Sequence, residues 1–219
     1  MKLIVRNTHK YLSFFISLQL LLWTISGIYF AFNKIENVRG EQYRLDLPNT
    51  LDLQVINFSI PDAMNVSIKK RLSDTIVSAS TSSGMRYYDL DGLPITHLTP
   101  DQALQIVAES TTLLPIRVEQ VNYPEKGSEY RGRTLPIYRV ITTNDAGSEI
   151  NTYVNIYSGN IEAIRSSHWR IWDLMWGFHI MDWVERDNID NILLKVFSIL
   201  ALISSITGVL LFFKVDVKK

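Results

Sequence analysis

Apolar residues crowd the two ends of the chain, and the middle alternates like a folded domain. No charged residue falls between Tyr11 and Phe32, a run of 22 residues, and a second uncharged run covers Val196 to Phe213, with Ile192 to Leu194 extending it past Lys195. At 1.5 Å per residue the first run makes a helix of about 33 Å, and a bilayer crossing needs roughly 20 residues. Two transmembrane helices are therefore predicted, at 11–32 and 191–213. The competing readings are a cleaved signal peptide for the first run and a buried core helix for the second. Against the former, the run is longer than a signal peptide's apolar region. It also ends in the bulky Ile28-Tyr29-Phe30-Ala31-Phe32 rather than at a small-residue cleavage site. Against the latter, polar residues flank the second run only at its ends.

The middle reads as an α+β domain. Thr99-Pro100-Asp101-Gln102 is a helix start, with Thr as N-cap, Pro at the first helical position and Gln three residues after the cap. Ala103, Ile106 and Val107 then share a face, and the helix ends before Pro115. Ile116 to Val121 alternates apolar and polar, which predicts a strand. Ile137 to Thr142 and Ile150 to Tyr157 predict two more, with Asn144-Asp145-Ala146-Gly147 turning between them and Ser158-Gly159-Asn160 closing the last. Earlier, Thr75 to Ser80 and Met85 to Ile95 predict a strand pair ending at Asp91-Gly92.

Charge sets orientation and narrows function. The chain holds 22 basic and 22 acidic residues. That balance argues against a nucleic-acid partner, which favours a basic surplus. Lys2, Arg6 and Lys10 precede the first span with no acid, and Lys214, Lys218 and Lys219 follow the second against Asp216 alone. Asp182, Glu185, Asp187 and Asp190 outnumber Arg186 just ahead of the second span. Both termini are expected in the cytoplasm and the central region outside it, in a bacterial inner membrane. There is no cysteine, hence no disulfide framework, thiolate metal site or cysteine nucleophile. No hydrolase elbow, zinc-binding His-Glu-x-x-His, phosphate loop or dinucleotide fingerprint occurs, so the chain is not expected to be an enzyme by itself.

Thr24-Ile25-Ser26-Gly27-Ile28 in the first run matches Ser205-Ile206-Thr207-Gly208-Val209 in the second. Small residues let helices approach closely, so Gly27 and Gly208 are read as packing positions. Gln19 is the one strongly polar side chain in mid-run and requires a partner. Near the second span, Trp169, Trp172, Trp176, His179 and Trp183 recur at helical spacing on one face. The four Trp form an expected interfacial aromatic belt over 166–190. His179 lies among them, and a histidine at membrane depth is a functional candidate in its own right.

The helix start Leu98-Thr99-Pro100-Asp101-Gln102-Ala103, then Tyr138-Arg139-Val140, then Tyr153-Val154-Asn155-Ile156-Tyr157-Ser158-Gly159-Asn160-Ile161 together resemble the PepSY domain family. With the Arg6-x-x-His9 terminus, the two spans and Trp176-Gly177-Phe178-His179-Ile180-Met181-Asp182-Trp183, the whole chain is similar to the PepSY-associated transmembrane family. The resemblance implies this order: cytoplasmic 1–10, span 11–32, a degenerate PepSY half-copy within 33–97, a PepSY-like domain at 98–165, the Trp-rich helix 166–190, span 191–213 and a cytoplasmic tail 214–219. It implies a membrane-anchored binding or regulatory module with an extracytoplasmic protein partner. The alternative, taken from larger four-span members, is a haem-binding electron-transfer subunit in ferric-siderophore reduction, served by a cytoplasmic flavoprotein. His179 and His9 would then be ligands of haem b, and a homodimer would supply two copies of each.

Overall fold

A long apolar helix stands near each end of the chain in the computed structural model, which describes residues 2–46, 50–51 and 58–215. Helix α1 covers Lys2–Phe32 and helix α5 covers Ile192–Val215. Within them, Leu3–Phe32 and Ile192–Phe213 are long and apolar enough to cross a membrane. Their side chains mostly face away from the rest of the protein: Phe14 is 83% exposed and Leu18 68%. A core helix of a soluble protein buries such residues. The tail expected at 214–219 lies outside the described residues from 216 onward.

The chain is α+β and divides into two units, Met1–Ile35 with Arg170–Lys219, and Glu36–Trp169. The second unit opens with the short helix α2, Ile35–Val38, and contains two antiparallel sheets. Strands β1 (Ala63–Arg71), β2 (Asp74–Thr81) and β3 (Gly84–Tyr88) form a meander in that order. Helix α3 (Pro100–Ser110) follows, and then β4 (Leu114–Val121), β5 (Ile137–Thr143), β6 (Glu149–Asn155) and β7 (Ile161–Arg165) make the second meander.

Helix α3 starts at a complete capping box. Gln102 N–H donates to Thr99 Oγ1 at 3.2 Å, and Thr99 N–H donates to Gln102 Oε1 at 2.9 Å. Its apolar face, Ala103, Ile106 and Val107, packs on Tyr138, Val140, Val154 and Ile156 of the second sheet and its β6 end. Tyr138 Oη also donates to Leu98 O at 2.7 Å, tying the sheet to the helix entrance. Two strands were absent from the expectation. Strand β7 is only five residues, too short for a period of two to stand out. Strand β1 does alternate Met64, Val66 and Ile68, but ends in Lys69-Lys70-Arg71. Part of the expected half-copy, 47–49 and 52–57, lies outside the described residues; the described remainder holds α2, a 3-10 turn at Glu41–Tyr43 and the three-stranded sheet.

The Trp-rich helix is shorter than expected. Helix α4 covers Ser167–Ile180, not 166–190. It stops because Asp182 draws the following backbone to itself: Oδ1 accepts from Val184 N–H at 3.3 Å and Glu185 N–H at 3.1 Å, and Oδ2 from Asp187 N–H at 3.1 Å and Asn188 N–H at 3.0 Å. A carboxylate offering four bonds competes well with continued helix. Met181 turns to φ 56, and Trp183 is thrown off the helix face that the spacing had assigned to it. Asn191 closes this elbow, donating to Ile180 O at 2.9 Å and accepting from Leu194 N–H at 2.8 Å as the N-cap of α5.

Candidate functional site

His179 sits in the last turn of α4 against the second half of α1. Its Nδ1 lies 2.7 Å from Ser26 Oγ. Ser26 Oγ is also 2.8 Å from Leu22 O and 3.1 Å from Trp23 O within its own helix, and the direction of the Ser26–His179 bond follows the imidazole tautomer. Aromatic rings enclose the imidazole: Phe30 edge-on at 5.6 Å, Trp176 stacked at 6.3 Å and Trp23 tilted at 6.5 Å. Burial among them lowers the His179 pKa below its ordinary value, which favours the neutral ring at pH 7.

Trp172 and Trp176 stack on one another at 5.6 Å, and Phe30 packs on both. Below them Gln19 Nε2 donates to Phe178 O at 3.1 Å and Trp23 Nε1 to His179 O at 2.6 Å. These are C-terminal carbonyls of α4, groups that a helix leaves without internal partners. Gln19 thus finds the partner its position demanded, in a backbone end rather than a side chain. Asp173, 2% exposed, pairs with Arg186 Nε at 3.2 Å and ties α4 to the elbow. Trp169 belongs to the α+β unit, where the guanidinium of Arg165 lies 4.4 Å from its ring and that of Arg131 5.5 Å. Desolvation there pulls the Arg165 pKa down to about 10, still cationic at neutral pH.

His9 faces α5. Its Nδ1 lies 3.0 Å from Ser204 O and 3.2 Å from Thr207 Oγ1. A carbonyl only accepts, so Nδ1–H donates to Ser204 O. Ser13 Oγ and Ser204 Oγ, 2.7 Å apart, extend this polar seam. Gly208 lies beside it: a Cβ there would come 3.0 Å from His9 Cε1, so the imidazole would have to give by a few tenths of an ångström. Gly27, paired with Gly208 in the sequence, has nothing within 4 Å of a Cβ, so its expected packing is not made among the described residues.

His9 and Ser26, the anchor of His179, are 17 residues apart on one helix, about 26 Å. One chain therefore cannot bring both imidazoles to a single iron. Each imidazole is held at Nδ1 by an oxygen, and an imidazole fixed in this way is the kind of side chain that could serve as one axial haem ligand through Nε2. No cluster of three or more His, Cys, Asp or Glu suited to a metal ion occurs among the described residues.

Sequence reasoning missed a groove of about 700 Å³ in the α+β unit, whose walls include Arg44, Lys70, Arg71, Asp46 and Glu109. Arg44 Nη2 donates to Ile161 O at 2.9 Å, and Arg71 Nη1 to Thr96 O at 2.9 Å and Tyr157 O at 3.2 Å. A guanidinium has five N–H donors, so each side chain is fixed by backbone oxygens and retains donors for the groove. Its floor includes Gly159 at φ 72, where a Cβ would lie 2.8 Å from Ile106 Cδ1. Compared with known proteins, the chain matches no protein-family model, no curated protein and no solved structure.

Proposed function

We propose that the chain is an inner-membrane protein anchored by α1 and α5, and that its α+β unit is an extracytoplasmic PepSY-like domain acting as a binding or regulatory module. The groove between α3, the β1–β2 hairpin and the β6–β7 turn carries this reading. It is roomy and polar, and its two arginines are held in place before any partner arrives, which lowers the ordering cost of binding. The outward-facing apolar side chains of α1 and α5 support the membrane anchor, since in water they would be an aggregation surface.

A photo-cross-linking residue placed at Leu45, on the groove wall and 42% exposed, is expected to capture a partner protein in cells. The product should fall at least five-fold when Arg44 and Arg71 are both changed to Gln. A yield no greater than from a probe at Met64, on the exposed edge strand β1, would remove the groove from consideration.

The hydrogen bonds that fix Nδ1 of His9 and of His179 favour a second reading, in which the chain carries haem b for transmembrane electron transfer as a homodimer. Haem would supply the redox centre; these residues would hold it, and the rings around His179 would exclude water. Protein purified from haem-replete cells should then show a Soret band, with sharp bands on dithionite reduction, that His179→Ala abolishes. A featureless spectrum at full loading excludes this reading and leaves the first untouched.

A further inference from the structure

Helices α1 and α5 are antiparallel but offset. Phe15 stacks on Phe197 at 5.9 Å, Ser13 bonds Ser204, and His9 bonds Thr207. Both helices rise equally per residue, so this register puts Lys195 level with about Leu20 of α1, and Phe213 level with the first turn of α1. The rest of α1 is occupied by α4, from Gln19 beneath Phe178 to Phe30 beside Trp172. The elbow from Met181 to Asn191, which joins α4 to α5, consequently lies beside the middle of the uncharged run Tyr11–Phe32. It carries Asp182, Glu185, Arg186, Asp187 and Asp190 on irregular backbone. A bilayer centred on that run would hold these groups in hydrocarbon, where lipid-exposed irregular backbone does not occur and charges are costly.

We infer that the outer boundary of the hydrocarbon core lies instead at Lys195, level with about Leu20, and that the core runs from there to Phe213 and the first turn of α1. The outer third of α1, the facing part of α4 and the elbow then form a platform in the outer headgroup layer, and lipid headgroups are the surface it contacts. From Lys195 to Phe213 the axis runs about 27 Å, close to the thickness of a bilayer core. Helical side chains lean toward their own N-terminus, so Lys10 leans to the cytoplasmic side and Lys195 to the outer side. Lys195 is ion-paired with Asp190, on the elbow. Snorkelling carries both charges toward the edges of that layer. The exposed groups of the platform suit a headgroup layer and neither bulk water nor hydrocarbon: Trp183, Val184 and Ile189 interleave with the elbow charges. Trp23 and the Trp172–Trp176 stack fall in the same layer.

This inference rests on the membrane reading, and one experiment separates the two. The chain has no cysteine, so a single introduced thiol reports its own position. Leu18→Cys and Ile199→Cys place it in the inferred core, and Ile25→Cys and Val184→Cys in the platform; all four side chains are exposed, so folding is not at stake. Reaction with a membrane-impermeant maleimide is followed in spheroplasts and in inside-out vesicles, taking the faster rate. Ile25→Cys and Val184→Cys are expected to react at least ten-fold faster than the other two. If they are as protected as Leu18→Cys, the platform lies inside the bilayer and the inference is overturned. If all four react as fast as in detergent, the membrane reading itself is wrong.

Discussion

Replacing Asp182 with Ala is expected to cost about 2–4 kcal/mol and to open the elbow to proteolysis. Four backbone N–H groups, those of Val184, Glu185, Asp187 and Asn188, converge on this one carboxylate. A hydrogen bond to a charged group contributes about 1.5–3 kcal/mol; water replaces part of that here, because much of the elbow is exposed. Asp182→Asn should retain roughly half of the effect, since an amide offers one acceptor oxygen where the carboxylate offers two. Thermal unfolding in detergent, with limited proteolysis to locate the first cleavage, measures both variants. The acid response gives a second readout. Burial raises the Asp182 pKa, but the N–H groups together outweigh it and hold the carboxyl below its ordinary value. A depressed folded-state pKa means that the contribution is complete above the ordinary carboxylate pKa, about 4, and is lost as pH falls through the lower folded value. Elbow protection should be flat from neutrality to about pH 4 and then fall in the wild type, with no corresponding step in Asp182→Asn. An unchanged acid profile in that variant would assign the elbow's rigidity to other residues.

Gly40→Val is expected to destabilise the α+β unit by at least about 3 kcal/mol. Gly40 has φ 78, and a Cβ there would lie 2.7 Å from Cγ2 and 2.8 Å from Cβ of Ile164. Ile164 is fully buried on β7 and β-branched, so it has no flexible end to swing away. Overpacking and a strained backbone act together. Gly147→Ala separates them. That glycine has φ 73 but open space around it, so only the left-handed backbone cost applies, about 1–2 kcal/mol. Denaturant midpoints of the two variants should differ accordingly; equal midpoints would mean that the segment around Gly40 shifts to accommodate the side chain.

Local chemistry was legible in the sequence and distant chemistry was not. The start of α3 is encoded within four residues, Thr99 to Gln102, by a reciprocal pair of hydrogen bonds. Strands β5 and β6 announce themselves through alternation, and their turns through Asn144 and Gly159. The end of α4 is different. The Trp spacing runs on smoothly to Trp183, and nothing in the period warns that Asp182 will gather four amides and stop the helix. His179 is visible as a candidate, but its anchor Ser26 is 153 residues away, and the sequence around Ser26 marks only a small-residue patch. The groove is not legible in the sequence because Arg44 and Arg71 lie in separate segments of ordinary composition, and only the fold brings them to one groove.

Gln19 and Trp23 also set a timetable for biosynthesis. The carbonyl that Gln19 binds belongs to Phe178, 159 residues later in the chain. At 5–20 residues per second, a ribosome needs roughly 8–30 seconds to supply it. Throughout that interval α1 presents an amide and an indole N–H with no helix end to receive them. On the proposed membrane reading, such a half-assembled helix is a natural client for whatever insertion machinery shelters polar groups in nascent membrane segments, and its residence there ends when α4 docks.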